Sequence, residues 1–179
     1  MRRVAGYHDI RLDGMTDILQ RAQGASVMDL GCNRGLVGLE FARMGAAVVH
    51  GCDIDPICVE VSRHVLCDLR GVQRKFETVD LIGGPKAFTT AFGDQKYDII
   101  VMLATYHKLK RAMPGHDLTA LIRHLGDRCE KFFCWRGTSD KPHENEEEMR
   151  SLDRDLGLKR IHTSHLSLQL GVCAIWARR

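Results

Sequence analysis

The chain has 179 residues, 44% of them hydrophobic and 27% charged, with a formal net charge of +3 at pH 7. That length suits one domain, residues 1–179, with a sizeable core, and the composition is that of a globular protein rather than a disordered or fibrous one. No apolar stretch approaches the roughly 20 residues of a membrane span, and so small a positive charge does not by itself imply nucleic acid. Met1-Arg2-Arg3 has no apolar run behind it, so no secretory leader is expected. Seven cysteines without CxxC spacing fit a reducing compartment better than a disulfide framework. None of the nine histidines pairs with a cysteine at ligand spacing, which argues against zinc. The expectation is a cytoplasmic protein that neither spans nor holds to a membrane and carries no metal.

In chain order, residues 1–25 read as an N-terminal segment containing an amphipathic helix at Gly14 to Gln23, and residues 26–179 as the core. Tyr7-His8-Asp9-Ile10-Arg11 has no core pattern. The first strand begins at Ser26-Val27-Met28 and runs into Asp29, with Gly31, Asn33 and Gly35 at alternate positions after it. Glycines at a strand-to-helix turn give the backbone access to positive φ and let a ligand approach without a Cβ in the way. A helix follows from Leu36 to Met44, with Gly45 at its C-terminal cap. The second strand, Ala46 to Gly51, ends in Cys52-Asp53-Ile54-Asp55-Pro56. An acid at that strand end, 18 residues past Gly35, is placed to accept both hydroxyls of a ribose diol. Asp55, before Pro56, reads instead as the cap of the next helix, Ile57 to Leu69.

The third strand is expected near Lys75–Val79 and ends in Asp80. Gly83-Gly84-Pro85 breaks the chain before a short helix at Lys86–Phe92, and the fourth strand runs from Tyr97 to Leu103. Then come a helix from about Leu118 to Glu130, a fifth strand at Lys131–Arg136 and a helix from about Glu144 to Leu156. The acids of His143–Glu148 fit the solvated first turn of that helix better than a docking face. Lys159–Ser167 and Gly171–Ala177 close the chain as a hairpin through Leu168–Leu170. Alternating strands and helices ending in a hairpin indicate a parallel sheet with one antiparallel strand.

The turn spells D-x-G-x-N-x-G rather than the dinucleotide fingerprint G-x-G-x-x-G. A carboxylate two residues before the first glycine repels a pyrophosphate and suits a ligand with an ammonium or sulfonium group. Here the chain resembles the class I S-adenosylmethionine-dependent methyltransferases, whose first motif is D/E-x-G-x-G-x-G. Asp29, Gly31 and Gly35 match, and Asn33 replaces the middle glycine, a substitution that left-handed backbone tolerates. The resemblance covers nearly the whole chain. It implies a three-layer α/β sandwich with a seven-stranded sheet in the order 3-2-1-4-5-7-6, the last strand antiparallel, and helices on both faces.

The same resemblance implies S-adenosyl-L-methionine as cofactor and Asp53 as its ribose acid, with Ile54 beside it. Cys32, in the turn, reads as a small buried filler rather than a nucleophile, and would lie against the cofactor with Asn33. Asp80 matches the acid that accepts from the adenine amino group, or is a plain capping residue; both readings stay open. The segment Leu103-Ala104-Thr105-Tyr106-His107-Lys108-Leu109, which opens with LATYHK, lies where the strand order reverses, which is where ligands of open α/β sheets bind. There His107 is the candidate base for an oxygen or nitrogen acceptor, with Tyr106 lining the acceptor cavity. The alternative for His107 is an exposed or structural residue at a helix start.

The segment lacks the N/D-P-P-Y/F motif of enzymes that methylate base or glutamine amides, and the strand-end Asp of K-D-K-E ribose methyltransferases. Lys108, Lys110 and Arg111 form a basic cluster that either meets an anionic acceptor or is a solvated face. Trp135 and Arg136 are either a wall of the same site or buried in the sheet. In such enzymes the segment before the first strand often folds over the cofactor, which makes Tyr7 and Arg11 candidate lid residues. The acceptor stays open between RNA, protein and a small molecule, and the near-bare fold leaves room for a homo- or heterodimer. Two other functions share the cradle: a cofactor-binding subunit completed by a partner, and a nicotinamide-dependent oxidoreductase.

Overall fold

The computed structural model describes residues 12–165 and 171–179. The candidate lid residues Tyr7 and Arg11 and the hairpin loop Leu168–Leu170 lie outside the described residues. A seven-stranded sheet runs in the order β3-β2-β1-β4-β5-β7-β6, as the resemblance implies. Its strands are β1 (Ser26–Leu30), β2 (Val48–Asp53), β3 (Gln73–Thr78), β4 (Tyr97–Leu103), β5 (Cys129–Gly137), β6 (Lys159–His165) and β7 (Val172–Ala177). β7 is antiparallel to both of its neighbours, and the remaining pairs are parallel.

Alternation along the central strands explains why helices cover both faces. Val27, Ile99, Val101 and Ile175 point to one side, where α1 (Thr16–Gln20), α2 (Leu36–Arg43) and α3 (Pro56–Val65) pack. Met28, Leu30, Ile100, Met102 and Trp176 point to the other, against α4 (Gly84–Phe92), α5 (Tyr106–Ala112), α6 (Gly115–Arg128) and α7 (Pro142–Asp155). Trp135 and Trp176 are fully buried there, edge to face with centroids 6.4 Å apart. Full burial of one such side chain contributes roughly 1.5–3 kcal/mol. Among the described residues no helix is long and apolar enough to cross a membrane.

Local signals set the ends that matter for the site. Gly45, at φ 91°, closes α2: its amide donates to Ala42 O and the Ala46 amide to Phe41 O, each at 3.0 Å, which is the Schellman pattern. Asp55 caps α3 through Ile57 N at 2.9 Å, with Pro56 in the first turn, as read from the sequence. At the opposite end of the sheet the Asp98 carboxylate accepts from Ser26 N at 2.9 Å and pairs with Lys131 at 2.8 Å, fixing β1, β4 and β5 in register.

Several boundaries differ from expectation. α1 is shorter than Gly14–Gln23, and α3 ends at Val65, four residues before Leu69. The chain between β3 and α4 makes a 3₁₀ turn at Leu81–Gly83. Residues 106–112, to which no element was assigned beyond the helix start considered for His107, form α5, and α6 begins at Gly115 rather than Leu118.

Candidate active site

The carboxyl ends of β1, β2, β3, β4 and β5 surround one cavity of about 510 Å³, within the usual range of about 300–1,000 Å³ for small-molecule sites. The β1–α2 turn forms its floor. The amides of Gly31 and Cys32 both donate to Cys52 O at 2.8 Å, which ties the turn to β2. Gly31 sits at φ 79°, and a Cβ there would run into Thr105 Oγ1. Asn33 adopts φ 49°, as its place in the motif requires. Gly35, at φ 73°, is needed for packing rather than for the cavity: a Cβ would lie 3.0 Å from Ser62 on α3, and Gly35 does not line the wall.

Asp53 braces this turn from β2, with Oδ2 accepting Asn33 N at 2.8 Å and Oδ1 accepting Asp55 N at 3.1 Å. Asp80 is a capping residue, its Oδ1 accepting Ile82 N at 3.0 Å at the 3₁₀ turn, and it also lines the cavity. Between these acids stand Ile54, 62% exposed, and Ile82, 44% exposed, two large aliphatic groups left open at the cavity rim. Asp29 lines the floor at 3% exposure. Cys32 lines it too, at 3% exposure; burial, then Asp29, pushes its thiol well above the usual range, consistent with a filler and not a nucleophile.

The opposite wall comes from β4, α5 and β5. Leu103 is in the lining as expected, and Ala104 follows at φ 55° with its amide donating to Arg136 O at 3.0 Å. A non-glycine residue in that region costs roughly 1–2 kcal/mol. The Thr105 hydroxyl lies 3.1 Å from Leu30 O and 3.2 Å from Leu103 O, bridging β1 and β4. Thr105, Lys108, Leu109 and Ala112 face the cavity from one side of α5.

Two expectations for this wall are corrected. Tyr106 does not line the cavity: α5 starts at that residue, and its ring turns into the core, 3% exposed, with its hydroxyl beside Ser151 of α7. His107 is half-buried and outside the lining. Burial, then Arg111 and Lys108, lowers its pKa below the ordinary imidazole value. The basic cluster divides: Lys108 lines the cavity, whereas Lys110 pairs with Glu147 at 3.0 Å. Trp135 is buried in the sheet and Arg136 is the wall residue. Ala112 and Ile82 were missed, and Thr105 and Leu109 belonged to the segment expected at the site without being singled out in it; the spacing of 105, 109 and 112 is the helical signal that could have found three of these four.

The methyltransferase-domain family matches residues 7–154. The chain belongs to that family. This methyltransferase-family protein is 31% identical over 116 residues to the electron transfer flavoprotein beta subunit lysine methyltransferase of Xenopus laevis, covering 63% of the chain and 46% of that protein. It is 59% identical over 34 residues to a ribosomal protein L11 methyltransferase of Methylococcus capsulatus, covering 19% of the chain and 12% of that protein. The chain thus spans less than half the length of these curated relatives. Among solved structures, the N-methyltransferase NodS of Bradyrhizobium japonicum superposes with a TM-score of 0.72 at 12% identity, covering 99% of each chain. The magnesium protoporphyrin IX methyltransferase of Synechocystis, solved with bound SAM, gives 0.64 at 19% identity, covering 100% of this chain and 87% of that one. These likenesses bear out the fold and the strand order.

The donor set fits S-adenosylmethionine. Asp53 offers a carboxylate for a diol, Ile54 and Ile82 offer apolar faces for a base, and Asp29 complements a cationic end. The floor glycine keeps that end of the cavity free of a side chain.

Proposed function

We propose that this protein is an S-adenosylmethionine-dependent methyltransferase acting on an oxygen or nitrogen nucleophile. The observation that carries the reading is the row of three carboxylates, Asp29, Asp53 and Asp80, at the ends of adjacent strands around one cavity with aliphatic walls. In this reading Asp53 accepts the ribose hydroxyls, Asp80 accepts from the adenine amino group, and Ile54 and Ile82 flank the base. When bound, the cofactor supplies a methyl group on a sulfonium leaving group. The chain then needs to align donor and acceptor in a water-poor space. Leu103, Leu109 and Ala112 exclude water on the β4 side, and the Leu103–Thr105 backbone sets the acceptor's approach. Among the described residues the wall holds no histidine, so these residues act by binding and orientation, and deprotonation of the acceptor is not assigned to His107. A cytoplasmic location suits the seven cysteines, none of them in a disulfide.

Calorimetry with S-adenosylhomocysteine tests the assignment: micromolar binding is expected, and no heat together with no thermal shift would sink it. Asp29, at the end of β1 beside the turn, disfavours the pyrophosphate of a nicotinamide cofactor, so a parallel NADH titration followed by fluorescence is expected to show no binding.

A further inference from the structure

α3 carries apolar side chains on two faces. Its inner face buries Val59, Ser62 and, just past the helix end, Leu66. On the side away from the sheet, Ile57, Val61 and Val65 recur every fourth residue and form one ridge. Ile57 is 73% exposed and the two valines are half-buried. A groove beside the ridge is lined by Pro56, Ile57, Glu60, Val61, His64 and Val65. Glu60 and His64, one turn apart, flank the ridge on the same side, 3.3 Å from each other and largely open to solvent. Ile54 precedes the helix and extends the apolar strip to the cavity rim. The outer face of a surface helix is normally polar, and a continuous apolar strip marks a surface that another molecule covers.

We infer that the outer face of α3 is a self-association surface, on which a second copy of this chain lays its own α3 antiparallel about a two-fold axis near Val61. The inference goes beyond the methyltransferase reading and does not depend on it. The face is complementary to itself. Rotation about that axis sets Ile57 of each copy toward Val65 of the other, with the ridge of each helix in the groove of its mate, as rows of every fourth residue pack. The same rotation brings Glu60 of each copy within reach of the other's His64, so the acid and the base flanking the ridge exchange partners across the axis. Size agrees with a weak dimer: α3 has ten residues, too few to supply the roughly 800 Å² per partner of a standard stable interface. The net charge of +3 opposes the meeting of two copies only slightly. Asp55 and Glu60 beside the strip disfavour an anionic lipid surface as its cover.

Sedimentation equilibrium of the full chain without cofactor tests this. A monomer–dimer equilibrium with a dissociation constant of roughly 10–100 µM is expected, as for contacts below the standard interface size. Ile57→Asp puts a charge on the ridge at an exposed position where an acid suits the first helical turn, and should weaken the dimer about tenfold or more. His64→Glu sets carboxylate against carboxylate at both symmetric contacts and should weaken it about fivefold. Adding Glu60→Arg to that variant restores opposite charges across the axis and should return the dimer to within about twofold of the wild type. Ile161→Asp, at a 54% exposed position on β6, is the control and should leave the dimer unchanged. All these positions are open to solvent, so each variant is expected to fold, which circular dichroism verifies.

The inference is overturned if the chain stays monomeric at concentrations above that range, or if Ile57→Asp leaves a dimer intact, which would place the contact elsewhere. It is also overturned if the exchange of charges fails to restore what His64→Glu loses, or if assembly runs past the dimer into open polymers, the mark of a contact without a two-fold axis. A monomer that binds vesicles of phosphatidylcholine and phosphatidylserine, and loses that binding in Ile57→Asp, would give the face to a membrane instead. No cofactor is present in these measurements, so none of their outcomes bears on the methyltransferase reading.

Discussion

At the end of β2, the two oxygens of Asp53 accept the amides of Asn33 and Asp55, at 2.8 and 3.1 Å, each carboxylate oxygen has capacity for a further hydrogen bond, and the residue lines the cavity. The same carboxylate thus shapes the turn and, in the proposed function, receives the ribose. Asp53→Ala is expected to weaken S-adenosylhomocysteine binding by about 1–3 kcal/mol, the cost of losing a charged hydrogen bond, measured by calorimetry. An unchanged affinity would remove Asp53 from the cofactor site. Gly31 makes a different kind of claim, since its φ of 79° and its approach to Thr105 both forbid a side chain. Gly31→Ala should cost at least roughly 1–2 kcal/mol from the left-handed backbone alone. In urea titrations, the added substitution Thr105→Ala should return part of any loss beyond that, because it removes the Oγ1 that the new methyl meets.

Among the elements, α6 and α7 meet where Gly126 faces the carbonyl of Leu156, with no room for a Cβ. Gly126→Ala is expected to lower stability by about 1–3 kcal/mol through overpacking, with S-adenosylhomocysteine affinity unchanged because this contact lies among helices remote from the turn. The sheet and most helices were legible in the sequence, because buried parallel strands write themselves as apolar runs such as Ile99–Met102 and turns as Gly31, Gly45 and Asp55-Pro56. The donor half of the candidate site was legible for the same reason: its acids sit at strand ends, which periodicity locates. The other half was not. α5 is seven residues long with only Tyr106 and Leu109 buried and no side-chain cap, so its local signal, the spacing of 105, 109 and 112, is weak. The start of that helix at Tyr106 decides which way its ring faces. One helical turn rotates it into the core and brings Thr105, Leu109 and Ala112 forward instead. Arg136 was legible as a position but not as a role, since only the fold tells which of Trp135 and Arg136 faces inward.

For the molecule as a whole, two buried titrating groups pull stability in opposite directions. His50 is 2% exposed, with Nδ1 2.9 Å from Tyr97 Oη; burial, then Lys75, lowers its pKa from 6.5 to about 4. Above pH 6.5 it is neutral in both folded and unfolded chains. As pH falls from there toward 4 the unfolded chain takes a proton the fold refuses, and about 3 kcal/mol of stability is lost. Glu148 is 5% exposed; burial, with Glu144 and Glu147 nearby, outweighs Lys110 and Arg111 and raises its pKa from 4.5 to about 7. Its contribution is complete below 4.5 and is lost, by a similar amount, as pH rises toward 7. Between pH 4.5 and 6.5 the two slopes oppose each other. Urea midpoints taken across that window should show His50→Gln gaining on the wild type as pH falls, and Glu148→Gln gaining as pH rises. Parallel profiles for either variant would refute the shift assigned to that residue.

The hydroxyl of Thr105 is shared between the carbonyls of β1 and β4, and beside it the Ala104 amide is held by β5. Three strand ends therefore meet at one joint, and the shape of the site is written into the sheet rather than into the connections around it. Such a joint cannot open unless the sheet does. The amides of Gly31 and Ala104, bonded to Cys52 O and Arg136 O, should then exchange their hydrogens for deuterium as slowly as the innermost strands, at the rate of global unfolding.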